Sequence, residues 1–472
     1  MRRVLPPTPK SSLVAAVGLL AALLTGTAVQ SETGSTTVSE SATDPEAATV
    51  SPGWPQFRGP SGDGHAPAGV SPPLAWGEDH NVAWKVEVPG EGFSSPVVED
   101  GQVVVTTAFE EERSLRVLAF DLESGALRFE NALFQPEAWQ VKHTDNSQAS
   151  PTAVLEPGRI YAHFGAYGTA ALASDDGRVL WRNTDFVIDH ETGPGSSPIL
   201  YDDLLIVNFD GTDHRYVVAL DKDTGGLVWK ADRSLPLAGK KGPHRKAFST
   251  PFVTRYRGQD QLVSPAAGQV SAYDPRTGEE LWWVAYDGYS NVPRPVAGFG
   301  LVFVTTGYMQ PEMLAIHLGG TGDVSSNRVV WRYRWQVPAN PSPLLVGHRL
   351  FLLSDWGRVT WLDAHNGDDL WRERLGGQFS ASPVLVGGTD GQGRIYVFSR
   401  EGEGLVLAAN DDFEILARNT LDGIFRASPA VVGDSLVVRT TSHLYRLADL
   451  AAPAEPSGDD SKPKAENPAA ER

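Results

Sequence analysis

The stretch "ALDKDTGGLVWK" (residues 219–230) reads as a short strand, a tight turn and a second strand that carries a tryptophan. "AYDPRTGEELWW" (272–283) and "WLDAHNGDDLWR" (361–372) repeat the same order. In each copy an aspartate can accept the N–H groups of the turn, a glycine supplies the positive φ of the corner, and the tryptophan offers a wide apolar face. The repeat therefore predicts a series of hairpins in which each tryptophan is covered by the next copy.

Weaker copies extend this series along the chain. "DLESGALRF" (121–129) keeps the spacing with phenylalanine in place of tryptophan. "ALASDDGRVLW" (171–181) has Ala173 where the aspartate of the repeat belongs. We expect six tryptophans to have a structural docking role between copies: Trp84, Trp181, Trp229, Trp282, Trp331 and Trp371.

A second marker precedes each hairpin, namely a proline that opens an apolar strand–turn–strand segment. Proline at the first position of a strand removes no hydrogen bond that the sheet needs. Eight such pairs occur: Ser95–Pro96, Ser150–Pro151, Ser197–Pro198, Thr250–Pro251, Arg294–Pro295, Ser342–Pro343, Ser382–Pro383 and Ser428–Pro429.

Together the two markers predict the fold class. Four strands per copy, repeated roughly every 45 residues, are typical of a β-propeller. The last copy has only three strands after Pro429, whereas "NVAWKVEVPG" (81–90) is a tryptophan strand with no partner before it. We therefore predict an all-β, eight-bladed β-propeller of four-stranded antiparallel blades, closed when the N-terminal strand 82–88 completes the last blade.

Composition limits the classes of partner and site. A formal net charge of −18 gives no basic surface for nucleic acid, so none is expected as a partner. The chain has no cysteine, which excludes disulfides and thiolate metal sites.

The two ends of the chain differ from the repeats. A positive start, the apolar run "LVAAVGLLAALL" (13–24) and small residues after it predict a signal peptide over 1–28, with a retained anchor as the alternative. We expect a disordered linker over 29–53, the propeller over 54–449 and a disordered tail over 450–472. The expected location is outside the cytoplasm, periplasmic or extracellular. After signal removal no transmembrane domain is expected, and the protein is expected to be a monomer.

The repeat "A-x-D-x-x-T-G-x-x-x-W" and stretches such as "WPQFRGPSGDGHAP" (54–67) carry a family resemblance. The repeat resembles that of pyrroloquinoline quinone (PQQ) dehydrogenases and of their non-catalytic relatives, which include the outer-membrane assembly factor BamB. The stretches are similar to exported PQQ-binding-like propellers of planctomycete-type bacteria.

The resemblance leaves enzymatic activity open. In the dehydrogenases, PQQ lies over the central channel between a tryptophan and a vicinal disulfide, beside calcium and a catalytic aspartate. That disulfide is excluded here because the chain has no cysteine, and no residue can be assigned as catalytic or as a metal ligand. No cofactor is therefore expected, with PQQ and calcium as the alternative.

Topology indicates which face of the propeller would carry a binding site. The Asp–Gly hairpins mark one face, so the less repetitive loops that connect blades, and second strands to third strands, belong to the other. The basic loop "GKKGPHRKAF" (239–248) in this second set could receive an acidic partner. The candidate ligand- or partner-binding residues near the channel are Asn146, His163, Asn208, Asp210, Arg294, Asn340, Asp355 and His443.

The sequence leaves three functions open. The leading hypothesis is a non-catalytic binding or assembly scaffold of the bacterial cell envelope, similar to BamB, with an envelope protein as partner. The alternatives are a PQQ-dependent oxidoreductase and a periplasmic binder of carbohydrate or peptide, with a small ligand at the channel mouth.

Overall fold

The computed structural model describes residues 53–388 and 392–450, and within them 33 β-strands and two short 3₁₀ turns, Gly165–Tyr167 and Gly242–Arg245, form the regular structure. In chain order the strands are β1 Val82–Glu87, β2 Val97–Glu99, β3 Gln102–Phe109, β4 Ser114–Asp121, β5 Leu127–Phe134, β6 Val154–Glu156, β7 Arg159–His163, β8 Thr169–Ala173, β9 Val179–Asn183, β10 Ile199–Tyr201, β11 Leu204–Asp210, β12 Arg215–Asp221, β13 Leu227–Asp232, β14 Phe252–Tyr256, β15 Gln259–Ala266, β16 Gln269–Tyr273, β17 Glu280–Ala285, β18 Val296–Gly298, β19 Leu301–Thr305, β20 Met313–His317, β21 Gly322–Asp323, β22 Val329–Tyr333, β23 Leu344–Val346, β24 Arg349–Leu353, β25 Arg358–Asp363, β26 Asp369–Arg374, β27 Val384–Val386, β28 Arg394–Phe398, β29 Glu403–Ala408, β30 Ile415–Thr420, β31 Ala430–Val432, β32 Ser435–Arg439 and β33 His443–Ala448.

These strands form eight antiparallel four-stranded sheets, which confirms the predicted eight-bladed propeller. Blade 1 is β2–β5, blade 2 is β6–β9, blade 3 is β10–β13 and blade 4 is β14–β17. Blade 5 is β18, β19, β20 and β22, and β21 adds a short parallel strand to the outer edge of blade 4. Blade 6 is β23–β26, blade 7 is β27–β30, and blade 8 is β31–β33 with β1.

Blade 8 closes the ring as the sequence predicts. Strand β1 pairs antiparallel with β33, with Trp84 opposite Arg446 and Lys85 opposite Tyr445. The first strand of the propeller is thus the outer strand of its last blade, and this ladder joins the two ends of the propeller.

Tryptophan docking follows one geometry at four blade interfaces. The indole N–H of Trp84 donates to Leu122 O at 2.8 Å, one residue after Asp121 of the next blade. A Cβ on Gly125 would lie 2.8 Å from the same indole, so only glycine fits there. Trp181, Trp229 and Trp331 make the equivalent bond to the carbonyls of Lys222, Pro275 and Ala364.

Two tryptophans depart from this geometry. The Trp282 N–H donates to Gln261 Oε1 within its own blade, because the hairpin of blade 5 carries an insertion that instead places β21 against Trp282. Trp371 packs edge-to-face on Phe413 of blade 7, with ring centres 5.4 Å apart, where other hairpins present glycine. Four of the six tryptophans thus dock on the next hairpin in the structure, Trp371 packs on an aromatic ring there, and Trp282 makes its hydrogen bond within its own blade.

A ring of side-chain hydroxyl groups joins the blades around the axis. In seven of the eight blades a Ser or Thr two residues before the first strand accepts the backbone N–H of the equivalent residue in the preceding blade, at 2.8–3.0 Å; in blade 5 that position is Arg294, which donates its N–H to Ser342. In blade 2 this residue is Thr152, so the predicted marker Ser150–Pro151 is wrong by two residues. The hydroxyl acceptors are Ser95, Thr152, Ser197, Thr250, Ser342, Ser382 and Ser428.

The axis contains a segment of the chain itself, residues 54–66. Trp54 pairs with Val98 of blade 1, and Pro55 O accepts the Leu155 N–H of blade 2. Arg58 donates to Pro343 O of blade 6, and Ala66 N to Leu385 O of blade 7. Because the innermost strands have free edges toward the axis, this segment satisfies polar groups that would otherwise face the channel.

The chain then runs outward between blades 7 and 8. The Tyr396 hydroxyl, on the second strand of blade 7, donates to Pro72 O at 2.9 Å. The backbone N–H of Trp76 donates to Asn419 Oδ1 on the outer strand. The Trp76 ring stacks on Tyr396 and Phe398. This path delivers the chain to β1 at the rim.

The predicted signal peptide, all but the last residue of the linker, and all but the first residue of the tail lie outside the described residues. Within residues 53–388 and 392–450, no helix has the length and apolar character to span a membrane.

Candidate functional site

The propeller has two unlike faces. The lower face carries the Asp–Gly hairpins and the turns between first and second strands. The upper face carries the connections between blades and the turns between second and third strands. Two of the predicted site residues, Asn340 and Asp355, line one cavity of about 840 Å³ on the upper face.

This upper cavity lies between blades 5, 6 and 7, and the loop from blade 1 to blade 2 reaches into it. Its lining comprises Asp145, Tyr308, Met309, Gln310, Pro311, Glu312, Arg334, Gln336, Val337, Ala339, Asn340, Ser354, Asp355, Trp356, Gln378, Phe379, Ser380 and Arg400.

Large apolar side chains at the cavity stand out into solvent. Trp356 is 66% exposed, Met309 67% and Tyr308 53%. The Tyr308 ring packs edge-to-face on Tyr289, and Tyr289 lies 4.4 Å from the His244 ring between centres. We call these five residues the aromatic row; they extend the cavity rim from blade 6 toward blade 4. Grouped exposed apolar side chains of this kind mark interaction surfaces.

Most charges in the cavity are already paired. The Asp145 carboxylate binds Arg400 at 2.8 Å and Arg426 at 2.9 Å, which ties the blade 1–2 loop to blade 7 and to the blade 7–8 connection. Glu312 binds Arg332 at 3.2 Å and Arg334 at 2.7 Å. The two guanidinium groups of the lining, Arg334 and Arg400, therefore both face a carboxylate.

Asp355 differs from these carboxylates. Its Oδ2 accepts the Ala339 N–H at 2.7 Å, and its Oδ1 accepts the Asn340 side-chain amide. Among the described residues it has no cationic partner. Burial raises the pKa of its carboxyl above the usual value.

Three other predicted residues belong to a buried network under blades 2 to 4. Asn208 donates to Ser249 O at 2.9 Å and accepts the Ser264 hydroxyl at 2.8 Å. Asp210 forms a buried ion pair with Arg233 at 2.7 Å. These contacts join blades 3 and 4, and they make both residues structural.

His163 belongs to the same region. Its Nδ1 lies 2.9 Å from the Thr169 hydroxyl, and its Nε2 accepts the Gly165 N–H at 3.2 Å. Burial, and to a smaller extent Lys246, lower the pKa of His163 to about 3, so the ring is neutral at physiological pH.

The remaining three predicted residues do not meet at one site. Asn146 donates to Thr192 O and Pro194 O and so ties two blade connections together. His443 begins β33 opposite Glu87, on the last blade. Arg294 is buried at the axis, where it donates to Phe57 O at 2.7 Å and holds the axial segment.

The basic loop 239–248 exposes less positive charge than its sequence predicts, because Lys246 is buried. Its amine is fully buried and lies 2.6 Å from His190 Nδ1, whereas Arg245 donates to Asp213 O. Only Lys240 and Lys241 of the cationic residues in this loop are exposed, which leaves little charge for an acidic partner.

Sequence reasoning missed the aromatic row and the axial segment. The turns "TGYMQPE" (306–312) and "SDWGR" (354–358) contain Tyr308, Met309 and Trp356, and large apolar residues within polar turns were the available signal.

The side chains of the upper cavity and the filled axis do not fit PQQ. The cofactor carries carboxylates of its own, and in the upper cavity both guanidinium groups of the lining, Arg334 and Arg400, are already bound to carboxylates of the chain. On the axis, residues 54–66 occupy the channel. Among the described residues no group of three or more His, Asp or Glu side chains is placed to hold a metal ion.

A protein-family model described as outer membrane protein assembly factor BamB matches this chain in four overlapping segments, residues 74–211, 133–319, 266–389 and 357–452. The chain belongs to this family. The overlap of successive matches reflects the repetition of the blades.

Individual relatives are distant. BamB of Shewanella oneidensis is 24% identical over 299 residues, which cover 60% of this chain and 66% of that protein. BamB of Yersinia pestis is 21% identical over 344 residues, 71% of this chain and 80% of that protein. Quinohemoprotein alcohol dehydrogenase ADH-IIG of Pseudomonas putida is 20% identical over 261 residues, 50% of this chain and 35% of that enzyme. The chain thus spans just under two thirds of the Shewanella relative and about a third of the enzyme.

Solved structures give the same grouping. BamB from Moraxella catarrhalis superposes with a TM-score of 0.54 at 13% identity, over 79% of this chain and 98% of that one. The alcohol dehydrogenase ADHIIG from P. putida gives 0.55 at 12% identity, over 89% and 83%. At such identities the likeness shows the shared propeller fold.

Proposed function

We propose that this BamB-family propeller is a non-catalytic assembly scaffold of the bacterial cell envelope, exported from the cytoplasm, that binds a polypeptide segment of an envelope partner along the aromatic row. The observation that carries the proposal is the exposure of Trp356, Met309 and Tyr308 at the rim of one cavity. Aromatic side chains and methionine are enriched in protein interfaces.

Two further features support a protein partner over a cofactor. The axis is filled by residues 54–66, and the charges of the upper cavity are mostly paired within the chain. Four BamB proteins are among the relatives, and the name of that family describes assembly of outer membrane proteins.

The test is recovery of identified partners from envelope extracts by the full chain and its variants. We expect the double variant Trp356→Ala with Met309→Ala to lose most recovery of outer-membrane assembly components, because interface energy concentrates in a few buried anchors. Phe299→Ala is the matched control, since Phe299 is also 53% exposed but lies on the lower face.

A photo-crosslinker at position 356 adds a direct readout. We expect it to capture the same component that Trp356→Ala loses. Equal recovery by the double variant and by Phe299→Ala would refute the proposed surface.

The alternative is a PQQ-dependent oxidoreductase, favoured by the similarity to the P. putida dehydrogenase. Purified protein supplied with PQQ and calcium should show no dye-linked alcohol oxidation above a cofactor-only blank. A saturable rate that follows protein concentration would establish the enzyme instead.

A further inference from the structure

We infer that the upper cavity takes a cationic side chain, a lysine or arginine of the bound polypeptide, with Asp355 as its counter-ion. This inference rests on the proposed function and specifies the chemistry of the partner. It concerns the cavity beneath the aromatic row, whereas the proposed function concerns the exposed row itself.

The distribution of charge in the cavity leads to Asp355. Asp145 and Glu312 each bind two guanidinium groups of the chain. Among the described residues, Asp355 has neutral hydrogen-bond donors on its oxygens, namely the Ala339 N–H, the Asn340 amide and nearby backbone N–H groups, and no cation. A partly buried carboxylate without a cation is costly. A cation from a partner would therefore find Asp355 as the remaining acceptor in the lining.

The walls of the cavity suit the rest of such a side chain. Trp356 follows Asp355 directly, and Tyr308 and Phe379 also line the space. Aromatic faces attract ammonium and guanidinium groups, and the aliphatic stem of lysine or arginine packs on apolar surface such as Met309 and Val337.

The position of the carboxylate is fixed before binding. Hydrogen bonds from Ala339 in the blade 5–6 connection and from Asn340 hold the two oxygens of Asp355 in place. Little ordering is therefore needed when a cation enters, which favours affinity.

The charge of the whole chain acts in the same direction. A formal net charge of −18 attracts cationic segments at long range, and this attraction weakens as salt rises. A glutamate or aspartate at the same point of the partner would instead meet the carboxylate of Asp355, which no cation neutralises among the described residues.

The test uses a synthetic peptide of alternating valine and tyrosine with a central lysine, and three versions with arginine, norleucine or glutamate at that position. Binding to the full chain is measured by fluorescence anisotropy at low and at physiological salt. We expect the lysine and arginine peptides to bind about tenfold more tightly than the norleucine peptide, as for other close charge pairs in interfaces. Asp355→Asn should remove this difference. The control variant Asp412→Asn, which neutralises an exposed carboxylate on a lower-face hairpin, should keep the preference for the lysine and arginine peptides.

The outcomes separate the inference from the proposed function. Equal binding of the lysine and norleucine peptides to the wild-type chain overturns the inference, and so does an unchanged preference in Asp355→Asn. If Trp356→Ala still weakens the binding of all peptides in that case, the proposed binding surface is retained and only the counter-ion role of Asp355 is refuted. If no peptide binds, partner recovery from envelope extracts is compared instead, at graded salt concentrations. Equal recovery by Asp355→Asn and by the wild type would then overturn the inference. If Trp356→Ala changes neither peptide binding nor partner recovery, the proposed function itself is overturned.

Discussion

At the scale of the single residue, the neighbours of Lys246 determine its protonation state. A neutral imidazole carries one proton, and His190 Nε2 accepts the Ala166 N–H at 2.9 Å, so the ring proton is on Nδ1. That Nδ1 lies 2.6 Å from the Lys246 amine, which must therefore accept the hydrogen bond and be neutral. Burial, which lowers the pKa of Lys246 to about 7, favours the same state.

This arrangement predicts a rise of stability with pH. The amine of an unfolded lysine has a pKa near 10.4, so between pH 7 and about 10 the unfolded chain binds more protons at Lys246 than the folded chain. The free energy of unfolding should therefore increase with pH in this window, by up to about 1.4 kcal/mol per pH unit from this group. Urea unfolding of the wild type and of Lys246→Met at pH 7, 8 and 9 measures it. We expect a flatter profile for the variant, and parallel profiles would contradict a neutral Lys246.

Residue type alone does not reveal which polar side chains are exposed to a partner. The position of Asp355 after a second strand predicts a site residue, and Asp355 does line the upper cavity. The equivalent position predicts Asp210, yet Asp210 is buried against Arg233 because that arginine leaves the outer strand of the same blade and turns inward. Since a burial partner distant in sequence decides such cases, the sequence alone does not separate them.

At the scale of the element, the axial segment depends on glycines that admit two guanidinium groups. Gly62 has a φ of +70°, and a Cβ there would lie 2.2 Å from Arg294 Nη1. A Cβ on Gly64 would lie 2.6 Å from Arg58 Nη2. The segment can therefore wrap around both side chains only because these positions carry no side chain.

Gly62→Ala should destabilise the protein more than Gly69→Ala does. Gly69 lies shortly after this segment with a φ of +84° but has no atom within 4 Å of a Cβ, so its substitution costs only backbone strain, about 1–2 kcal/mol. Gly62→Ala adds the clash with Arg294, about 1–3 kcal/mol more. Denaturant unfolding of the two variants measures the difference, and equal losses would mean that the axial segment is loosely held.

Hairpins are the elements that the sequence predicts well, because Asp, Gly and Trp each have a local physical role in them. Thr224 N and its hydroxyl bind Asp221 Oδ1 at 2.8 and 2.7 Å, as the turn requires. The marker at Ser150–Pro151 is wrong because the hydroxyl that matters belongs to Thr152, and its partner is Ser95 of another blade. A bond between blades leaves no local pattern in the sequence, and neither do the bonds of the axial segment.

At the scale of the whole molecule, three sets of contacts at different distances from the axis join the two ends of the propeller. Near the axis, Ser428 N donates to Ser95 Oγ at 3.0 Å. Farther out, the buried Arg439 of blade 8 donates to Ser94 O, Ser94 Oγ and Thr106 O of blade 1. At the rim, β1 completes blade 8 through its ladder with β33. The upper face, where we place the partner, holds its shape only while this seam is closed, because the Asp145 loop of blade 1 reaches Arg400 and Arg426 across it.

Replacing residues 82–88 by glycine and serine at equal length should open this seam. The ladder to β33 and the docking of Trp84 on Leu122 O would be lost together. We expect a lower midpoint and a broader denaturant transition, with faster hydrogen exchange in β31–β33, because a ring without its outer strand exposes a sheet edge and loses cooperativity between its ends. The same replacement over residues 32–38, within the linker that the sequence predicts, is the matched control, and we expect it to leave the transition unchanged. A single sharp transition at the wild-type midpoint in the 82–88 variant would show that the contacts nearer the axis close the ring without the rim strand.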